Sequence, residues 1–259
     1  MHRIRIVGLC LVAAFAFSAV AVASASATEV LFKLEKGSFP ATFTSKGGAG
    51  KLQTLAGSEI SCTEVVDKGT IGSSSEGGGT TAHLGTVEVK FKGCKSTSPS
   101  VECKSSGANA EEIIIPSAEF HLGLADFLPE GPFNVPAVLF LLPGATPSAP
   151  LAGTFSFKCS LASVEVKGDV IGDIEGNIEE FKSTSTVAFE QSVAGMQKQI
   201  DFLLSLTSPE NELMTGQHLT TKTKLFTTEE SESGETTSDT LEGFKNSAGE
   251  STKIELVKG

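Results

Sequence analysis

Between residues 86 and 92 the chain alternates without a break: Val87, Val89 and Phe91 fall on one side, and Thr86, Glu88, Lys90 and Lys92 on the other. Successive side chains of an extended strand point to opposite faces, so this pattern requires a sheet with one dry face and one wet face. The period recurs. Phe155, Phe157 and Cys159 oppose Thr154, Ser156 and Lys158; Ala118, Phe120, Leu122 and Leu124 oppose Glu119 and His121; Ile200, Phe202, Leu204 and Leu206 share a face. Weaker alternation marks 41–46, 51–55, 58–65, 164–174, 182–191, 217–227 and 251–258. The stretch 191–206 has a helical rival, because Met196, Ile200 and Leu203 align at helical spacing, but Gly195 and the alternation after it favour a strand.

Turn residues punctuate these runs at Lys46, Gly47, Gly48, Ala49 and Gly50, at Ala56 and Gly57, at Asp67, Lys68 and Gly69, and at Gly172, Gly176 and Asn177. Roughly a dozen short strands at this spacing predict an all-β protein, an antiparallel barrel or sandwich with glycine-rich hairpins. Three stretches read as loops: 72–81, 143–150 and 228–240. The last holds Glu229, Glu230, Glu232, Glu235 and Asp239 among Ser and Thr, and such a charge run reads as a solvated hairpin tip.

The first residues differ in character. Met1, His2, Arg3, Ile4 and Arg5 make a basic start, 6–23 is almost wholly apolar, and Ala23, Ser24, Ala25, Ser26 and Ala27 form a small-residue exit. These are the three parts of a secretory signal peptide, so 1–27 is expected to be removed and 28–259 to fold as one all-β domain outside the cell or on its envelope. A retained helix of about 18 apolar residues is the rival, at the lower limit for a membrane span; the small-residue exit and the missing stop-transfer charges weigh against it. A lipid anchor on Cys10 is disfavoured because Leu9 is too large for the preceding position. No later segment approaches a span, so no stable membrane span is expected after cleavage.

Both Arg residues, Arg3 and Arg5, lie in that segment, which leaves Lys as the sole strongly basic residue type beyond it. The net charge of -11 repels phosphate backbones and anionic lipid, so nucleic acid is not an expected partner. Trp and Tyr are absent as well, removing side chains that commonly anchor tight interfaces. Beyond Cys10 stand Cys62, Cys94, Cys103 and Cys159, an even number in an exported chain, which predicts two disulfides. Of the three possible pairings, the preferred one joins Cys94 to Cys103 around the short polar loop 95–102, and Cys62 to Cys159. That longer bridge would cross 143–150, which argues against a domain boundary there. Structural zinc is the rival use of four Cys, and no two of them have C-x-x-C spacing.

The run Ala41, Thr42, Phe43, Thr44, Ser45, Lys46, Gly47, Gly48, Ala49, Gly50, Lys51, Leu52 is followed by Ser61-Cys62-Thr63, Phe91-Lys92-Gly93-Cys94-Lys95, Cys103-Lys104-Ser105-Ser106-Gly107-Ala108 and Val166-Lys167-Gly168-Asp169-Val170-Ile171-Gly172. Together these resemble a group of secreted actinobacterial β-proteins with four framework Cys and no assigned biochemical role. The likeness spans residues 38 to about 175 and is patchier afterwards. It implies an exported bacterial β-protein whose four Cys belong to the shared framework, and it carries over no catalytic residue.

Candidate chemistry is sparse. Gly47, Gly48, Ala49, Gly50 and Lys51 look like a phosphate loop but fail its spacing: Ser45 stands at the first glycine and Leu52 after the Lys, so a hairpin turn reads better. No G-x-S-x-G is present, and His83, His121 and His218 fall in three separate strand patterns, so no enzyme activity is expected. Asp169, Asp173, Glu175, Asn177, Glu179 and Glu180 follow a spacing that suits calcium ligands, yet Ile171 and Ile174 stand where an EF-hand loop needs a ligand and a glycine; an acidic outer strand face reads better, and no metal or cofactor is expected. The apolar segment Val135, Pro136, Ala137, Val138, Leu139, Phe140, Leu141, Leu142 exceeds what a two-faced strand needs. With both faces covered it is a core strand; with one face on a cavity, the barrel holds a lipid-like ligand against Phe120, Phe140, Phe155 and Phe157. The leading expectation is an exported non-enzymatic structural or interaction protein, and the alternative is a barrel that binds an apolar small molecule.

Overall fold

Alternation in the sequence becomes alternation in burial. Along Ala41–Gly47 the side chains of Ala41, Phe43 and Ser45 are buried while Thr42, Thr44 and Lys46 are exposed. The structure is a computed structural model and describes residues 30–72, 79–125, 135–176, 179–204, 212–215, 217–224 and 228–258. The signal-like segment 1–27, Asn177, Leu206 and most of the 72–81 stretch lie outside the described residues.

In chain order the described strands begin with β1 (Val30–Leu34), β2 (Ala41–Gly47), β3 (Gly50–Thr54), β4 (Glu59–Cys62), β5 (Glu64–Ile71), β6 (Thr81–Ala82) and β7 (Leu84–Lys92). They continue with β8 (Lys95–Thr97), β9 (Ser100–Lys104), β10 (Glu112–Ala125), β11 (Val135–Leu141), β12 (Thr154–Cys159), β13 (Ala162–Glu175) and β14 (Thr184–Phe189). The last are β15 (Gln191–Val193), β16 (Met196–Gln197), β17 (Phe202–Leu204), β18 (Glu212–Met214), β19 (Leu219–Lys224), β20 (Thr228–Lys245) and β21 (Ile254–Lys258). Every pairing is antiparallel, and apart from one 3-10 turn at Pro150–Ala152 no described element is helical.

The pairings close two rings. One runs β20, β2, β5, β7, β10, β11, β13, β14 and back to β20. The other runs β20, β3, β4, β8, β9, β12, β13, β19 and back to β20. Position by position the two match: β3 lies between the same neighbouring staves as β2, β4 continues β5, β8 continues β7, and so on around. The molecule is therefore one antiparallel barrel of eight staves, six of them interrupted midway and two, β13 and β20, running through both rings. Closure removes sheet edges, and eight strands leave an interior that side chains nearly fill.

Glycine marks the junction where the rings meet. Gly168, midway along β13, has φ +104, and a Cβ there would stand 2.1 Å from the His218 carbonyl oxygen, so neither its backbone nor its surroundings accept a side chain. Residues 47–50, read as a hairpin turn from the sequence, are instead a break within one stave, since β2 and β3 both pair with β20. Gly69 and Gly172 mark no turn either. Each lies mid-strand, and a Cβ would come within 2.3 Å of the Phe43 ring and 2.7 Å of the Phe189 ring respectively; the glycines make room for aromatic rings inside the barrel.

Residues 228–240 form no hairpin tip, contrary to the expectation from their charge run. They are the N-terminal part of β20, paired on one side with β19 along 228–233 and β14 from 237, and on the other with β3 along 233–236 and β2 from 239. Its inward positions are Ser233, Glu235, Thr237 and Asp239, and its outward ones include Thr236, Ser238 and Thr240, which are exposed. Both faces are polar, so no apolar alternation announces the strand.

The four Cys form two disulfides, but the pairing differs from the expected one: Cys62 bonds Cys94, and Cys103 bonds Cys159. They occupy one row across four adjacent staves, β4, the break after β7, β9 and β12. Cys94 and Cys103 are also opposite one another, and there the Cys103 N–H donates to the Cys94 carbonyl at 3.0 Å. Backbone-bonded opposite residues are held farther apart than non-bonded ones, by about 5.5 Å against 4.5 Å between Cα atoms. Each Cys therefore bridges to the side away from its hydrogen bonds, where the Cα separation is 4.0 Å in both disulfides.

Two further layers complete the fold. β1, flanked by β21 and β6, forms a three-stranded sheet from which Phe32 reaches the Phe120 ring at 6.5 Å, closing one end of the barrel. Outside, β17 pairs with β10 and β18 with β17, and there Phe202, Leu204 and Met214 bury Ala137, Leu139, Leu141 and Ile171. Ile200 does not join Phe202 and Leu204 as its spacing suggested; it is 45% exposed, lying before β17 starts. Elsewhere the outer faces carry pairs such as Lys92 with Glu64 at 3.1 Å and Lys167 with Glu165 at 3.2 Å, the reverse of the apolar exterior that lipid requires.

Candidate functional site

The segment 135–142 does both things its composition allowed. Ala137, Leu139 and Leu141 face the outer layer, whereas Val138, Phe140 and Leu142 face the barrel interior. There the side chains leave two cavities. The first, of about 80 Å³, lies within the ring containing β2 and β5; the second, of about 50 Å³, lies within the ring containing β3 and β4. Phe91, Ile115, Phe140 and Glu235 border both, at the junction of the rings. Of the four Phe singled out from the sequence, Phe120 and Phe140 line the first cavity, and Phe140, Phe155 and Phe157 the second. The structure thus brings all four to the interior.

Three carboxylates share the same interior, and no sequence pattern announced them. Asp67 projects from β5, and Glu235 and Asp239 from β20, into the first cavity beside the hydroxyls of Ser45 and Ser185. β7, β10, β11 and β13 offer that cavity only aliphatic and phenylalanine side chains, and no Lys, Arg or His is among its lining residues. Ser45 donates from Oγ to Asp67 Oδ2 at 2.5 Å, while Asp67 Oδ1 is buried with no hydrogen-bond partner. Thr237 Oγ1 donates weakly to Asp239 Oδ1 at 3.4 Å.

A carboxylate taken from water into such surroundings favours its neutral form. Burial raises Asp67 to about 6, with the Ser45 hydrogen bond pulling the other way. Burial, then repulsion from Asp67, raises Asp239 to about 7. Glu235 goes highest, to about 8, driven first by burial and then by Asp239 and Asp67, with no hydrogen bond to offset them. Glu235 is half-buried and borders both cavities. Three mutually repelling acids in one dry chamber cannot all be ionised near neutral pH.

The remaining candidates lie apart from this chamber. Asp169 and Asp173 sit on the outward side of β13 but are covered, Asp169 beside His218 and Asp173 beside Lys198 and Gln199, not on an open acidic face. Burial raises Asp169 to about 7 although His218 beside it pulls the other way. Asp173 accepts from Gln199 Nε2 at 2.9 Å, with Lys198 at 3.7 Å. Glu175, Glu179 and Glu180 are exposed, and Glu180 pairs with Lys182 at 2.7 Å, so the described members of the calcium-like series are not gathered around one point. Among the described residues no group of three or more His, Cys, Asp or Glu is arranged to hold a metal ion. His121 Nε2 meets Glu119 Oε1 at 2.5 Å, and no histidine borders either cavity. Lys51, at the end of the phosphate-loop-like run, pairs with Glu59 at 3.6 Å.

No family model matches the chain, and neither a curated protein nor a solved structure matches it.

Proposed function

We propose that the chain is an exported, non-enzymatic binding protein that holds a small, largely apolar molecule inside its barrel. One observation carries the reading: a closed eight-stave wall encloses two adjoining apolar cavities while its outside is laced with Lys–Glu pairs. Interior space next to a few convergent polar groups is the usual form of a small-molecule site. Export is supported by the signal-like start and by two disulfides, which persist in oxidising compartments. A bacterial envelope or extracellular location follows the resemblance noted above.

The occupant is smaller than a membrane lipid. Cavities of about 80 and 50 Å³ do not hold a long acyl chain, and a fatty-acid headgroup would meet three acids of its own sign. Thermal melts with increasing benzene test the reading. We expect a saturable rise in melting temperature, equivalent to about 2.7 kcal/mol at a hundredfold excess over the dissociation constant. A melting temperature unmoved by benzene at its solubility limit would favour the purely structural module instead.

A further inference from the structure

We infer that the natural occupant of the first cavity carries a protonated amine on a short apolar body, its ammonium seated among Asp67, Glu235 and Asp239 and its apolar part against Val87, Phe120 and Phe140. This deepens the binding reading and rests on it. Among the described residues, the only charged groups facing the cavity are those three acids, from β5 and β20; β2 and β14 add the Ser45 and Ser185 hydroxyls, and the other four staves add hydrocarbon alone. Asp67 is only 8% exposed, yet its Oδ1 has no donor. Folded proteins rarely keep a buried acceptor unpaired without a reason.

Each ligand class meets this chamber differently. A hydrocarbon leaves Asp67 Oδ1 unpaired, and an anion adds a like charge. An ammonium supplies three N–H donors and the missing positive charge at one point, which a hydroxyl cannot do. Size limits the rest of the molecule. Dry engineered cavities of about 150 Å³ take up benzene; the first cavity, of about 80 Å³, approaches that only together with the adjoining one of about 50 Å³, so the pair admits no more than a single ring or a chain of a few carbons.

Proton balance follows from the chemistry. Near neutral pH Glu235 holds its proton; when the ammonium arrives the carboxyl O–H bond breaks, the proton leaves to buffer, and a carboxylate–ammonium contact replaces it. Binding of the amine therefore releases protons, and binding of a neutral analogue does not.

Titration calorimetry of the purified protein with n-hexylamine, n-hexanol and hexanoate, in buffers of different ionisation heat, tests this. We expect hexylamine to bind on the order of tenfold tighter than hexanol, with net proton release, and hexanoate not to bind. Glu235→Gln and, separately, Asp239→Asn should lose the preference for amine while still binding hexanol. Hexanol binding as tightly as hexylamine, or a preference that survives both substitutions, would overturn the amine assignment and leave the cavity reading standing. Failure of hexylamine, hexanol and benzene alike would overturn both.

Discussion

Raising the pH from about 5 to about 8 lowers the melting temperature of this protein, and Glu235→Gln removes part of the fall, chiefly at its upper end. In the unfolded chain these carboxyls titrate near 4, whereas in the barrel Asp67, Asp239 and Glu235 hold their protons to about 6, 7 and 8. Between those limits the folded state binds more protons than the unfolded state, so stability falls as pH rises through the window and levels off above it. Each tenfold gain in proton affinity on folding corresponds to about 1.36 kcal/mol. The three acids repel one another and do not contribute separately, so the combined loss is on the order of 4 kcal/mol, or on the order of 10 °C for a chain of this size. An amide at 235 cannot ionise, so its share of the fall disappears, while Asp67 and Asp239, raised first by burial, keep theirs. Differential scanning at a series of pH values reads the effect directly. A flat profile, or a fall that Glu235→Gln does not alter, would mean that these groups are in water.

Phe120→Ala costs about 3–5 kcal/mol, the range for removing a buried aromatic ring. The ring meets Phe43 at 6.2 Å and Phe32 at 6.5 Å, both edge-on, and so joins the barrel wall to the sheet that closes its end. It also fills the space left by Gly85, where a Cβ would come within 2.2 Å of the Phe120 ring. Chemical denaturation should show the full loss for Ala and a smaller one for Leu. A loss below about 1 kcal/mol for Ala would place Phe120 at the surface.

What could be read from the sequence follows from where water is. β7 and β12 separate apolar from polar side chains, and their alternation shows in the residue types themselves. β20 does not, because its inward Ser233, Glu235, Thr237 and Asp239 are as polar as its outward Thr236 and Ser238. The carboxylate chamber was hidden for the same reason: Asp67 sits beside Gly69, which resembles a turn until the Phe43 ring is placed over it. Two disulfides follow from an even count of Cys in an exported chain, whereas their pairing depends on which side of each strand carries the backbone hydrogen bonds. That is set by the ring closure, a property of the whole chain.

Residues 228–245 form a through-running stave that delivers its acids to the interior, and hydrogen exchange followed by mass spectrometry reads this without any ligand. The amides of Thr237, Asp239 and Leu241, paired with Phe189, Val187 and Ser185, should exchange only on the timescale of global opening. Exchange of this segment within seconds, at the rate of an unstructured polar loop, would contradict the barrel and the chamber inside it.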